Sequence, residues 1–319
     1  MNAPMKIFAA LACAAILGSL AVAQEPFPGK GIIEITVLFP AGSSADVSAR
    51  LLAEGMTRQL GTNVMVLNRP GAGGALGYRY VATKKPDGYS LVWNSNSIST
   101  NAHSGALPFT YEAFDAVAQV LVESPMVVVR ADSKWKTLAD LVTAAKAQPK
   151  AITVANSGVG SHTHISSVAL FKAAGAEALD VPFGAAQVIT SLLGGQVDAA
   201  IQLPAALSEH VKSGQFRLLA TLTDKRDPAF PDVPTAREQG FDVSLEAWRG
   251  IAAPKGTPKP VIAALETAIR KTVESTAFAQ GCERLGARVA FATAEDFGKL
   301  IAKEDAELAR LMTIIGLKK

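Results

Sequence analysis

Three features are scarce in this sequence: cysteine, an excess of one charge, and the signature motifs of common catalytic sites. Of the two cysteines, Cys13 lies in an N-terminal apolar segment, so Cys282 has no partner for an internal disulfide. Lys and Arg number 31 against 28 Asp and Glu and form no basic run, which argues against nucleic acid as a partner. The fold must therefore rest on an apolar core, and the 49% hydrophobic composition is sufficient to build one.

Catalytic and nucleotide-binding motifs are also missing. No G-x-S-x-G, P-loop or C-x-x-C occurs, and the glycines at 71–77 depart from the dinucleotide-binding spacing at Leu76. Asp46 and Asp198 are far apart in the sequence, and nothing assigns them acid and base roles. We therefore predict neither an enzyme activity nor a cofactor, and we interpret Cys282 as a structural thiol.

The N-terminus predicts export. Lys6 precedes an apolar run at 7–22, and A-V-A occupies 21–23. A basic residue, a short apolar run and a small-x-small site are typical of a cleaved secretory signal peptide, which we place at residues 1–23. A membrane anchor and lipid attachment at Cys13 are the alternatives, but the run is rich in Ala and short for a spanning helix.

Short apolar runs alternate with longer helical patterns along the rest of the chain, which predicts an α/β fold with parallel sheets. Strands are predicted at 33–39, 63–67, 90–93, 117–122, 126–130, 151–155, 179–181, 197–201, 216–222 and 248–252. Helices are predicted at 45–60, 73–84, 137–147, 163–175, 185–193, 204–213, 234–239, 258–274, 276–285 and 294–313.

Extended segments at 120–126 and 243–250 have the character of crossovers between domains. Two such crossovers predict a discontinuous first domain, 24–123 plus 246–319, and an inserted second domain, 124–245. A ligand cleft is expected between the two domains, since small-molecule sites often occur at domain interfaces.

Two strand-loop-helix segments have the composition of anion-binding sites. Pro40–Asp46 follows a β-branched run and precedes a helix, and Ser157–His164 repeats this order in the second predicted domain. Such loops present backbone N–H groups at the positive end of a helix dipole. One loop alone is compatible with a simple turn, but a pair, one in each domain, predicts a clamp around a carboxylate or phosphate.

His162 and His164 leave an alternative open. An H-x-H pair can share a metal ion, which would make the protein an exported zinc hydrolase. These residues start a helix, however, where positions i and i+2 point apart, and no third ligand is evident. The favoured interpretation is a pair of polar residues at the rim of a pocket, without a metal.

Six sequence segments carry a family resemblance. They are F-P-A-G-S-S-A-D-V-S-A-R (39–50), N-R-P-G-A-G-G-A-L-G (68–77), K-P-D-G-Y-S-L (85–91), L-L-G-G-Q-V-D (192–198), P-D-V-P-T (231–235) and W-R-G-I-A-A-P-K-G-T-P (248–258). In this order they resemble the Bug family, the periplasmic solute-binding proteins associated with tripartite tricarboxylate transporters. The resemblance implies two α/β lobes of the type II periplasmic-binding-protein fold, which close by hinge motion around a small carboxylate.

The same resemblance implies the partners and the binding residues. We expect a periplasmic monomer that delivers a dicarboxylate, an aromatic acid or an acidic amino acid to membrane permease subunits; a sensor protein is the alternative partner. Both loops would grip one carboxylate of the ligand, and Asp46 is considered as a counter-ion for a ligand amino group or as a charge at a helix start. The expected ligand-binding residues are Phe39, Pro40, Ala41, Gly42, Ser43, Ser44, Asp46, Asn96, Ser157, Gly160, Ser161, His162, Thr163, Gly184, Ala185 and Ala186.

Three positions depart from the family pattern. Ser43 stands where the family usually has glycine, His162 where it often has proline, and Phe183 where it commonly has tyrosine followed by a basic residue. The segment 183–188 also has one residue fewer than the family pattern. The distal part of the pocket is therefore expected to be less cationic and more apolar than is common in the family.

Overall fold

Two mixed β-sheets flanked by helices make up the computed structural model, which describes residues 27–29 and 31–318. For Ala185 and Ala186 only the backbone is described, and the predicted signal peptide at 1–23 lies outside the described residues. The strands are, in chain order, β1 (Ile33–Val37), β2 (Val64–Asn68), β3 (Ser90–Ser95), β4 (Phe114–Glu123), β5 (Met126–Arg130), β6 (Thr153–Asn156), β7 (Leu179–Pro182), β8 (Ala199–Gln202), β9 (Phe216–Thr221), β10 (Ala247–Pro254) and β11 (Arg288–Ala292). The α-helices are, in chain order, α1 (Ser44–Leu60), α2 (Ala75–Ala82), α3 (Ser97–His103), α4 (Leu138–Ala147), α5 (His162–Ala173), α6 (Ala185–Leu193), α7 (Pro204–Lys212), α8 (Lys259–Val273), α9 (Thr276–Arg284) and α10 (Ala294–Ile314).

The strands form one sheet of six and one sheet of five. Their orders are β11-β4-β10-β3-β1-β2 and β7-β6-β8-β5-β9. β1 pairs in parallel with β2 and β3, and β6 in parallel with β7 and β8, whereas β10 and β5 run antiparallel to both of their neighbours. The α/β prediction is confirmed. The expectation of parallel sheets is wrong for β5 and β10, the strands that follow the two crossings between the sheets. Each enters its sheet in the direction opposite to that of its neighbours.

The chain passes between the two sheets twice. β4 and β5 are separated only by Ser124 and Pro125, and the chain returns from β9 to β10 through a segment in which Leu245 donates to the carbonyl of Leu222 at 2.8 Å. Helix α10 also contacts both halves, because Phe297 packs edge-on against Trp248 near its start and its C-terminal part packs on the second core. A fold in which the chain crosses between the sheets at only a few places permits hinge motion between them.

Each sheet has its own apolar core. Tyr78 and Trp93 are fully buried in the core of the first sheet, and Trp135 and Phe171 are buried in that of the second. Burial of one large side chain of this kind stabilises a fold by about 1.5 to 3 kcal/mol. Cys282 lies in the first core, where burial and the Glu123 charge raise its pKa to about 12, so the thiol is protonated and unreactive at neutral pH.

Several predicted elements differ from the structure. Helix α3 and the edge strand β11 are not predicted by the sequence pattern, and the helix predicted at 234–239 is only a 3₁₀ turn at Arg237–Gln239. The sequence of α3 is rich in Ser, Thr and Asn, which favours loops, but tertiary bonds such as Asn101 Nδ2 to the carbonyl of Gly73 (3.0 Å) hold the helix. Within the described part of the chain, none of the helices combines the length and the apolar character needed to cross a bilayer.

Candidate functional site

The N-termini of α1 and α5 open into one small cavity between the two sheets. The helices are capped alike: the Ser43 hydroxyl accepts from the Asp46 amide at 3.3 Å, and the Ser161 hydroxyl accepts from the His164 amide at 3.2 Å. The cavity measures about 20 Å³, and we call it the helix-end cavity. Its lining includes Phe39, Ser44 and Arg249 from one side and Ser161, His162 and Gln202 from the other.

Several N–H groups of the two loops are already used inside the protein. The bonds are Gly42 to Asp46 Oδ2 (2.9 Å), Ser43 to the carbonyl of Pro40 (3.2 Å), Gly160 to His164 Nδ1 (3.3 Å) and Ser161 to the carbonyl of Gly158 (3.0 Å). Each of these four amides would have to exchange an internal bond for one to a ligand. Ala41 is exposed and lines neither this cavity nor the one beside it.

The free donors lie in the first turn of each helix. Among the described residues, no acceptor bonds the amides of Ser44 and Ala45 in α1 or those of His162 and Thr163 in α5. All four residues line the helix-end cavity. Because both helices direct their N-termini at this space, the two dipoles reinforce one another, and a pair of amides from each helix can bind an anion.

A buried ion pair lies beside these amides. Arg249 Nε of β10 bonds Glu123 Oε2 at the end of β4 at 3.0 Å, and the two side chains are only 6% and 0% exposed. The Ser44 hydroxyl donates to the other oxygen of Glu123. No described residue accepts a hydrogen bond from the terminal nitrogens of Arg249, and the buried hydroxyl of Ser97, in the same cavity, has no partner there either. The cavity therefore offers a cation and a hydroxyl in addition to the four amides.

Arg249, Glu123 and Ser97 are absent from the expected binding residues, although two of them left a signal in the sequence. Arg249 interrupts the otherwise apolar strand A-W-R-G-I-A-A-P, and Glu123 ends a long apolar run at the first crossover. A charged side chain within a buried strand requires a buried partner of opposite charge. The ion pair between Arg249 and Glu123 could therefore have been predicted from the sequence. Ser97 lies in helix α3, which the sequence does not reveal.

The imidazoles of His162 and His164 do not share a site. His162 Nε2 lies 3.0 Å from the carbonyl of Leu245, so this nitrogen carries the proton, and burial with the nearby Arg249 charge lowers the His162 pKa to about 4. His164 uses Nδ1 to accept from Gly160, and burial lowers its pKa as well. Nowhere in residues 27–29 and 31–318 do three His, Cys, Asp or Glu side chains come together in a possible metal site.

A pH dependence follows from the buried neutral His162. Below pH 6.5 the unfolded chain takes up a proton at this residue and the folded chain does not, so stability falls as the pH falls toward 4. Between pH 7 and pH 4.5 the free energy of unfolding of the wild type should fall by about 2 to 3 kcal/mol more than that of His162→Gln, whose amide replaces Nε2. Urea unfolding of both proteins at the two pH values measures this, and an equal loss in both would contradict it.

Asp46 and Asn96, two of the expected binding residues, are engaged elsewhere. Burial opposes ionisation of Asp46, but hydrogen bonds from Arg50, Gly42 and Asn68 outweigh it and hold its pKa below the ordinary value. Asp46 thus stabilises the first loop and lines neither cavity. Asn96 accepts from the amide of Trp248 at 2.9 Å and donates to Glu304 Oε2 at 2.6 Å. It therefore ties β10 to α10 beside the sheet crossing.

A larger space adjoins the helix-end cavity. This side cavity, of about 490 Å³, shares Phe39 and Ser157 with the smaller one. Its other walls are Pro40, Pro70, the segment Gly71–Gly74, Gly158, Phe183, Gly184 and Gln187. Of the expected residues, Phe39, Pro40, Ser157 and Gly184 thus lie here, while Ala185 and Ala186 begin α6 next to Gly184.

The two halves of the molecule touch directly at the second loop. The Thr100 hydroxyl donates to the carbonyl of Gly160. A Cβ added to Gly73 would lie 2.2 Å from the carbonyl oxygen of Val159, and one added to Gly160 would lie 3.0 Å from Asn101 Oδ1. The structure is therefore a closed arrangement, in which a glycine at position 73 permits the close approach of the two backbones.

Comparison with known protein families gives one decisive match. The family model described as "Tripartite tricarboxylate transporter family receptor" matches residues 48–317. This chain belongs to that family. It is 32% identical over 303 residues to Protein BugT of Bordetella pertussis, which covers 93% of this chain and 93% of that relative. The Bug-family resemblance in the sequence is therefore confirmed, and the chain is a solute-binding receptor of this family.

Solved structures confirm the fold. The periplasmic binding protein BugD is 31% identical, with a TM-score of 0.87 that covers 92% of this chain and 100% of that chain. MatC of Rhodopseudomonas palustris, solved with bound malate, is 27% identical, with a TM-score of 0.83 that covers 91% of this chain and 100% of that chain. The two-lobed α/β architecture of periplasmic binding proteins, predicted from the sequence, is thus the fold of this chain.

Proposed function

We propose that this protein is an exported periplasmic receptor that captures a small carboxylate between two lobes, 24–123 plus 246–319 and 124–245. It would deliver the ligand to the membrane permease subunits of a tripartite tricarboxylate-type transporter. One observation carries the proposal: N-terminal amides of α1 and α5 that have no acceptor in the described part of the chain open into the same cavity beside the buried Arg249. The malate bound to the related MatC supports a carboxylate as the ligand.

The geometry explains why an anion would favour closure. In an open form, each helix end alone would face water, and its dipole would be screened. In the closed form, the amides of Ser44 and Ala45 meet those of His162 and Thr163 across a cavity with room for about one water-sized group, such as one oxygen of a carboxylate. A carboxylate bound there interacts with both lobes at once, so it has a higher affinity for the closed state and shifts the equilibrium toward it.

The zinc hydrolase alternative loses its structural basis. It requires His162 and His164 to converge on one ion, but the first imidazole bonds Leu245 and the second bonds Gly160. The other two ring nitrogens, His162 Nδ1 and His164 Nε2, belong to no group of three His, Cys, Asp or Glu side chains among the described residues that could hold a metal ion.

A thermal-shift screen followed by two variants of Ser44 tests the proposal. At least one acid among aliphatic diacids, aromatic acids, hydroxy acids and acidic amino acids should raise the melting temperature; at 100 times its Kd it would add about 2.7 kcal/mol of stability.

Ser44→Pro removes the amide N–H at the first position of α1, where proline is tolerated, since Ser43 is extended with ψ 159. Ser44→Ala removes only the hydroxyl. In calorimetry, Ser44→Pro should bind that acid about tenfold or more weakly than Ser44→Ala, because a hydrogen bond to a charged group is lost.

Two outcomes would contradict the proposal. If no carboxylate raised the melting temperature, the receptor would have another ligand class. If Ser44→Pro and Ser44→Ala bound the acid equally well, the helix amides would not hold it.

A further inference from the structure

The two adjoining cavities differ in size, so each would receive a different part of a ligand. The helix-end cavity, at about 20 Å³, has room for little more than one water-sized group. The side cavity, at about 490 Å³, lies within the range of small-molecule sites, roughly 300 to 1,000 Å³. Because Phe39 and Ser157 line both, a carboxylate held at the helix ends would direct the rest of the molecule into the side cavity.

The described lining of the side cavity offers no charged side chain to a second anionic group. None of the described residues in its lining is Asp, Glu, Lys, Arg or His; its polar side chains are those of Ser157 and Gln187. Arg69, beside Pro70, is stacked on the Tyr80 ring with 3.5 Å between Cζ and the ring centroid, and it is not part of the lining. The buried Arg249 belongs to the helix-end cavity and is already paired with Glu123. Helix α6 reaches the described lining only at Gly184 and Gln187, and the Gly184 amide already donates to Gln187 Oε1 at 3.2 Å. A second carboxylate in the side cavity would therefore lose water without gaining a cation or a free amide of α6 from this lining.

The walls of the side cavity suit a flat apolar group instead. Phe39 and Phe183 contribute aromatic rings, Pro40 and Pro70 contribute rigid apolar rings, and Gly71–Gly74 contributes backbone without bulky side chains. Aromatic rings stack on such surfaces and lose little conformational freedom when they do so.

We propose that the ligand of this receptor is a monocarboxylate with an uncharged aromatic body, whose carboxylate lies at the helix ends and whose ring lies between Phe39 and Phe183. This inference rests on the proposed carboxylate-binding function and selects one class within it. A dicarboxylate or tricarboxylate of similar size would bind more weakly, because its second charge would lie against apolar walls.

Calorimetry with two matched pairs of acids tests this inference on the protein without its signal peptide. The pairs are benzoate with terephthalate and hexanoate with adipate. In each pair the monocarboxylate should bind about tenfold or more tightly than the dicarboxylate, a difference of about 1.4 kcal/mol. Benzoate should also bind more tightly than hexanoate, and Phe183→Ala should remove that advantage.

Gln187 provides the converse test. Its side chain lines the side cavity and accepts from the Gly184 amide at 3.2 Å. Gln187→Arg places a cation in this cavity and should shift the preference toward terephthalate, whereas Gln187→Met, which loses the same amide contact without adding a charge, should not.

The results separate the inference from the function on which it rests. Tighter binding of terephthalate and adipate by the wild type would overturn the monocarboxylate inference and leave carboxylate binding intact. Failure of these four acids and of every acid in the thermal-shift screen would overturn both.

Discussion

Gly73→Ala is expected to weaken carboxylate binding about 100-fold, equivalent to about 2.7 kcal/mol, although residue 73 donates nothing to the helix-end cavity. The added Cβ would lie 2.2 Å from Val159 O and 3.0 Å from Ser161 N. Both are backbone atoms of the other lobe, which cannot rotate away as a side chain could. The lobes would stay apart, so α1 and α5 could not bind the same carboxylate. Calorimetry with the strongest acid of the thermal-shift screen measures the affinity, and solution scattering measures whether the acid still compacts the protein.

Gly61→Ala is the matched control for this substitution. Gly61 has φ +65 and Gly73 has φ +62, so alanine is strained alike at both, by about 1 kcal/mol, but nothing lies within 4 Å of a Cβ at position 61. Both variants should therefore lose similar stability, and only Gly73→Ala should lose affinity. Binding of wild-type strength by Gly73→Ala would show that closure at this contact is not required.

Arg249→Met is expected to lower the free energy of unfolding by about 3 to 5 kcal/mol, because it leaves the Glu123 carboxylate buried without a cation. Glu123 is fully buried, and within the described residues its other side-chain hydrogen-bond partner is the Ser44 hydroxyl. Methionine keeps much of the volume and apolar stem of arginine but not the guanidinium group, whose Cζ lies 5.9 Å from the centroid of the Phe39 ring. Urea unfolding at pH 7 measures the loss.

The double variant Arg249→Met with Glu123→Gln separates charge from packing. Because it removes both charges and keeps the amide in contact with Ser44, it should recover at least about half of the lost stability. It should also bind the acid more weakly than the wild type, since the cavity has lost its cation. A double variant no more stable than Arg249→Met would mean that the loss comes from packing rather than from the unpaired carboxylate.

The fold was predictable from the sequence because its regular elements follow local rules. Helix α1 begins after a serine cap and ends at Gly61 in the left-handed conformation, and both signals are visible in the sequence. Helix α3 was not predictable, because Ser, Thr and Asn favour loops and the helix is held by contacts with residues distant in the chain. The antiparallel course of β10 depends likewise on pairing with β3 and β4, which no local pattern encodes.

The candidate site was predictable to the level of its loops and no further. The small residues of Pro40–Asp46 and Ser157–His164 indicate exposed amides, but which amides remain free depends on internal bonds such as Gly42 to Asp46. Because those loop amides are bonded internally, the amides left for a ligand are those in the first turn of each helix. The absence of a basic residue after Phe183, in contrast, is a direct property of the sequence, and it anticipates the uncharged side cavity.

The most direct test of the account compares one acid with its own carboxamide. Two helix N-termini and Arg249 are proposed to bind an anionic carboxylate, and a primary amide has the same shape but replaces one acceptor oxygen with an N–H donor. In calorimetry, the strongest acid of the screen should bind, and its carboxamide should bind about 100-fold or more weakly, a difference of about 2.7 kcal/mol or more. Equal affinities for the acid and the amide would contradict the central claim.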